Sequence, residues 1–160
     1  MLRIALALAL LATANLCTAQ TDNVDNLKGI DGIYWRVDSS YAQDITSSER
    51  MDLNDIVELQ LRRGAITLRP FILNQPNQNI PLLQIEVSTI SNKGPDQIQI
   101  ALKVFDHAVI ERNSQRTIAK TFELKRSTKA GSGSEESDII KSELREIMAE
   151  FVSLYKQANP

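Results

Sequence analysis

The spacing of apolar residues changes at Gly64, and this change sets the element order. Before it, Leu53, Ile56, Val57, Gln60 and Leu61 keep the three-and-four spacing of one helix face. After it, Ile66 and Leu68 alternate with Thr67 and Arg69, predicting a strand over Ala65–Arg69 that Pro70 closes. Upstream, Ile33, Trp35 and Val37 alternate with Tyr34 and Arg36, a first strand with Trp35 as its core anchor. Downstream, Leu82–Ile90 sets Leu83, Ile85 and Val87 against Gln84, Glu86 and Ser88. Gln97–Val109 sets Ile98, Ile100, Leu102 and Val104 against Gln99, Ala101 and Lys103. A fifth strand, Thr117–Leu124, carries Ile118, Phe122 and Leu124 on one side, with Lys120 interrupting. Ile140, Leu144, Ile147, Phe151, Leu154 and Ala158 then recur along a terminal helix from about Ser137 to Ala158.

Punctuation agrees with the periods. Thr46 and Glu49 have capping-box spacing at the start of the first helix, and Gly64, free to adopt a left-handed backbone, is its expected stop. Polar turns fall at Asn74–Asn79 and Asn92–Asp96, and Ser127–Ser134 has the composition of a flexible linker. Short connections imply antiparallel neighbours, while a helical crossover lets the first strand pair in parallel with the meander. The expected fold is α+β: a two-layer sandwich of a four- to five-stranded, mostly antiparallel sheet with two helices on one face, in the order β-α-β-β-β-β-α.

The first 19 of the 160 residues stand outside this scheme. A basic start, the apolar run Ile4–Ala14 and a small residue at Ala19 have the form of a secretion signal, with cleavage expected between Ala19 and Gln20. Residues 20–31 read as a flexible mature N-terminus and 32–160 as one domain. Asn15 and Leu16 before Cys17 do not form a lipobox. A chain cut at Gln20 holds no cysteine and no Asn-x-Ser/Thr site, which points to a bacterial periplasm or exterior. Removing Arg3 leaves 17 basic residues against 20 acidic, a net charge of −3 that gives no overall basic field for nucleic acid.

Catalytic patterns are absent from the sequence. His107 is the single histidine, and strand alternation sends it to the face opposite Asp106. No nucleophile elbow, P-loop or dinucleotide glycine pattern occurs. Asp22, Asn23 and Asp25 lack the remaining ligands of a calcium loop, and His107 has no thiolate partner for zinc, so neither a metal nor a cofactor is expected. Paired carboxylates at Asp52/Asp55 and Glu135/Glu136 fall near helix starts, where the dipole favours them. Arg112, Arg116, Lys120, Lys125, Arg126 and Lys129 form a modest basic cluster that can meet an anionic lipid or lipopolysaccharide phosphate.

Gly32–Val37, Asp55–Leu68 and Ile147–Pro160 carry a resemblance to a loose group of small secreted bacterial proteins of unassigned function. At fold level the element order also resembles periplasmic modules of outer-membrane assembly, such as the lipopolysaccharide-transport plug lipoprotein; likeness of fold does not transfer function.

One feature does not suit a sheet that faces water: Val104–Ile110 is apolar on both sides for part of its length. Alternation puts Tyr34, Leu82, Phe105 and Val109 on the face away from the helices, with Arg112 and Arg116 at the rim. These six residues are the candidate partner-binding patch. The leading expectation is a non-enzymatic secreted or periplasmic domain that binds a protein partner or envelope component, or its own copies. A hydrolase with an unfamiliar carboxylate site and a small-ligand carrier are the alternatives.

Overall fold

A computed structural model describes residues 24–42, 45–70, 80–91, 96–131 and 134–160. The expected leader at 1–19, its expected cleavage point, Asn74–Asn79 and most of the Asn92–Asp96 turn lie outside the described residues. The elements are β1 (Tyr34–Tyr41), α1 (Ser47–Arg63), β2 (Leu82–Ile90), β3 (Gln97–Ile110), β4 (Gln115–Lys129) and α2 (Ser134–Ala158), preceded by a 3-10 turn at Val24–Leu27. The sheet order is β1-β2-β3-β4, with β1 parallel to β2 and both later pairs antiparallel. This is the expected α+β arrangement. Its second strand, expected over Ala65–Arg69, is reduced to one parallel bridge between Leu68 and Ile33. Two bonds hold it, from Ile33 N to Thr67 O and from Arg69 N to Ile33 O.

The helices and the lower parts of β2, β3 and β4 bury the apolar faces that their periods predict. Leu53, Val57 and Leu61 of α1 meet Leu83, Ile85 and Val87 of β2 and Ile98, Ile100, Leu102 and Val104 of β3 in one core. Ile140, Leu144, Ile147, Met148 and Phe151 close it from α2, with Phe151 tilted against Phe122 at 6.1 Å between ring centroids. Trp35 is only partly buried, packing on the core's margin in the outermost strand.

The capping box forms: Glu49 Oε2 accepts from Thr46 N at 2.8 Å, and Thr46 Oγ1 accepts from Glu49 N at 3.3 Å. The helix stop differs from expectation. Gly64 is right-handed (φ −72°), and the left-handed residue is Ala65 (φ 58°). Ala65 N donates to Arg62 O and Ile66 N to Leu61 O, the two bonds of a Schellman ending with alanine in the place usually given to glycine. Gly64 serves packing instead, since a Cβ there would lie 2.9 Å from Val152 Cγ1 of α2.

Both expected loose segments are shorter than the composition predicts. Ser127–Lys129 belongs to β4, paired with Gln97–Gln99, so the linker begins only at Ala130. From residue 24 on, the N-terminus is docked: Leu27 and Ile30 are buried. Asn159 at the end of α2 accepts from Gly29 N (2.7 Å) and donates to Leu27 O (2.8 Å), and Tyr155 OH donates to Ile30 O (2.7 Å). Polar composition hid two apolar anchors and a side-chain clamp more than a hundred residues away.

Candidate functional site

β2 pairs with β3 only as far as Leu82 opposite Phe105. The residue before Leu82 is Pro81, whose carbonyl accepts from Tyr34 N of β1 at 3.0 Å. β3 and β4 continue without it. From Asp106 opposite Ala119 to Ile110 opposite Gln115 they pair only with each other, a two-stranded arm of about 15 Å at roughly 3.4 Å per residue. Its tip, residues 111–114, is well formed: Ser114 N donates to Ile110 O at 2.8 Å and Gln115 N to Asn113 Oδ1 at 3.1 Å.

The arm begins at a bulge. Val104 faces Phe122 but Phe105 faces Lys120, so Thr121 is the extra residue in β4. Thr121 Oγ1 donates to Val104 O (3.3 Å), and its carbonyl accepts from Asn26 Nδ2 (2.6 Å). The skip reverses the faces of everything before it in β4. Ile118, expected beside Phe122 and Leu124, instead pairs with His107 on the side away from the helices and is 67% exposed. Val109 is 61% exposed and Ile110 38%.

The six candidate residues fall on this feature. Tyr34, Leu82 and Phe105 form one row across three strands at the arm's base, all half-buried. Val109 lies four residues further along the same face, directly opposite Arg116, and Arg112 is in the tip. Arg112 and Arg116 make no ion pair among the described residues. Ile118 belongs to the patch too and was missed, because nothing local in the sequence marks a bulge at Thr121. A length mismatch was readable: β3 is predicted several residues longer than β2.

The wider basic cluster does not stay together. Arg126 lies on the helix side, bonded to Glu143 (3.4 Å), Glu146 and Glu150 (3.6 Å) of α2. Lys120 and Lys125 flank Glu123, whose burial pushes its pKa up; the two ammonium groups outweigh this and hold it below the usual carboxylate range. The rest of the uncovered sheet face is likewise self-satisfied: Arg36 bonds Gln84, Gln84 bonds Glu86, and Lys103 bonds Glu86. A face whose charges are already paired has little left to offer a partner.

His107 is exposed on the arm, and Asp106 Oδ1 accepts from the His107 backbone N–H (2.6 Å), not from the ring. Of the paired carboxylates, Asp52 bonds Lys141 (2.7 Å) and Glu136 bonds Thr89 (3.2 Å). No cluster of three or more His, Cys, Asp or Glu side chains suited to a metal occurs among the described residues. A shallow hollow on the outer surface of α1 is lined by Asp55, Glu58, Leu59 and Arg62. No helix of the described residues is long and apolar enough to cross a membrane.

No protein-family model matches the chain, and no characterised protein matches it in sequence. Among solved structures, a PelC dodecamer from Paraburkholderia phytofirmans is similar over 74% of this chain and 86% of its own, at 14% identity and a TM-score of 0.42. A minor lipoprotein from Acinetobacter baumannii is similar over 78% and 91%, at 10% identity and a TM-score of 0.32. The rare lipoprotein B from Shewanella oneidensis is similar over 78% and 92%, at 14% identity and a TM-score of 0.31. These are distant likenesses of fold.

Proposed function

We propose that this chain is a non-enzymatic binding module, secreted or periplasmic, that engages a protein partner or envelope component through the β3–β4 arm. One observation carries the reading. Beyond Phe105 the hairpin leaves the sheet, so Val109, Ile110 and Ile118 stand in solvent beside Arg112 and Arg116. Exposed apolar side chains grouped on one projecting element are a common mark of an interaction surface. Elsewhere on the sheet's open face Arg36, Glu86, Lys103, Glu123 and Lys125 are bonded within the molecule, whereas Arg112 and Arg116 of the arm make no ion pair among the described residues. Carboxylates that could serve a hydrolase are engaged in structure instead: Asp52 with Lys141, Glu49 with Thr46, and Glu143 and Glu146 with Arg126.

Photo-crosslinking residues placed at Val109 and Ile118, with a control at Ser153 on α2, test this in the native envelope. Discrete adducts from the two arm positions and none from the control are expected. Adducts equal at all three positions would remove the arm from the function. Adducts to phospholipid or lipopolysaccharide rather than protein would assign the arm to the envelope surface itself.

A further inference from the structure

The five exposed large apolar side chains among the described residues form two groups. Val109, Ile110 and Ile118 are on the arm; Met51 and Leu59 are on α1, at 63% and 48% exposure. Met51, Asp55, Leu59 and Arg62 follow three-and-four spacing along the side of α1 opposite Leu53, Val57 and Leu61, so this stripe faces out of the helix layer. The hollow lined by Asp55, Glu58, Leu59 and Arg62 lies on it. The two groups also mirror each other in charge. Around the hollow Glu58 is paired with Arg62 at 2.7 Å and Asp55 adds a further negative charge, while the arm's end has two guanidiniums, Arg112 and Arg116, with one carboxylate, Glu111.

Within one molecule the two surfaces look apart. Val109 and Ile118 are on the sheet's uncovered side by strand alternation, and Leu59 is on the far side of the helix layer that covers the other face. An arm cannot cover the α1 stripe of its own chain without leaving the sheet. A second copy can offer it.

Resting on the reading of the arm as the binding element, we infer that its partner is the α1 outer face of another copy of this chain. Val109 and Ile118 cover Leu59 and Met51, and Arg112 and Arg116 face Asp55 and Glu58. Such a contact joins two different patches, so it is heterologous: one copy of a pair keeps a free hollow and the other a free arm, and the assembly closes into a ring or grows.

Sedimentation of the chain from Gln20 to Pro160, over a range of concentrations, tests this with Arg116→Glu and Leu59→Glu. The wild type is expected to gain mass with concentration, and each variant alone to remain a monomer with an unchanged circular dichroism spectrum. A mixture of the two is expected to form a 1:1 dimer, because the intact arm of one meets the intact hollow of the other. A monomeric wild type, or self-association unchanged by Leu59→Glu, would overturn the inference. So would a mixture that stays monomeric, since an intact arm and an intact hollow would then have failed to meet. If the wild type is monomeric while Val109 still gives discrete adducts to another protein, only the identity of the partner fails. If those adducts are absent as well, the binding role of the arm fails with it.

Discussion

The hairpin β3–β4 is two structures in one pair of strands, divided at Thr121. Below the bulge, Ile98, Ile100, Leu102 and Val104 alternate with Gln99, Ala101 and Lys103 and are fully buried, the last two facing Leu124 and Phe122 across the ladder. Above it, the ladder continues through Ile110 and Gln115, yet Val109 and Ile118 stand mostly exposed. The backbone pairing is the same in both halves. The difference is the third layer: the lower half has α2 on one face and β2 alongside, and the upper half has neither. Hydrogen bonds shape a ribbon, while burial decides which of its apolar residues stabilise the fold.

That contrast can be tested by asking where a lost side chain matters. Phe151→Ala, beneath the lower half, is expected to cost roughly 3–5 kcal/mol in urea unfolding as a large-to-small core change. An unchanged unfolding midpoint would mean that the core is not closed by α2. Gly64→Ala comes next, at about 1–3 kcal/mol, because the new methyl group would overpack against Val152. Adding Val152→Ala should recover part of that loss in a double-mutant cycle. If it recovers nothing, the glycine is needed for backbone freedom after all.

The cap of α1 is a smaller effect with a pH signature. Two hydrogen bonds from Thr46, through its backbone N–H and its hydroxyl, hold the Glu49 carboxyl down at about 2. A carboxyl depressed in the folded state stabilises the fold at pH above its ordinary value near 4.5, and the effect is lost as pH falls towards 2. Thr46→Ala should therefore cost about 1 kcal/mol at neutral pH. The gap between the two proteins is expected to narrow between pH 4.5 and pH 2, where the hydroxyl's bond to the carboxylate is lost, and to keep a remainder from the Glu49 N to Thr46 Oγ1 bond, which does not titrate. A gap that does not narrow at all would trace the whole cost to that second bond.

Smallest of all should be Val109→Glu or Ile118→Glu on the arm, within about 0.5 kcal/mol of wild type in stability, as for surface changes generally. Their loss should appear in crosslinking and self-association instead. A drop of several degrees in melting temperature for either would place the upper half in the core and end the comparison.

Much of the lower half was legible from the residues. β2 was read at Leu82–Ile90, the Thr46–Glu49 cap forms as spaced, and the α2 stripe is buried as its period requires. Such features depend on neighbours within a few residues, where spacing and side-chain chemistry suffice. The candidate patch was legible in part: Tyr34, Leu82 and Phe105 share a row because pairing of β1, β2 and β3 follows the alternation. Ile118 was placed on the wrong face because one unpaired residue in β4 is invisible to a pattern of period two. The docked segment from residue 24 to 31 was missed for a related reason: its partners are Tyr155 and Asn159, at the other end of the chain.

By itself, then, the sequence determined the α+β class, the order of its elements, the cap of α1 and the inward face of the long elements except β4 before its bulge. All of these follow from periodicity and local hydrogen bonding. Tertiary structure decided where the sheet ends and the arm begins, with β2 pairing to β3 no further than Leu82 and a bulge at Thr121 in β4 whose carbonyl is bonded by Asn26. It decided that Gly64 makes room for Val152 and that Ala65, not the glycine, takes the left-handed turn. It also separated Arg126, neutralised against α2, from Arg112 and Arg116 on the arm. A side chain's charge and apolar area are written in the sequence, but whether they are spent inside the molecule or left for a partner depends on contacts between residues far apart in the chain.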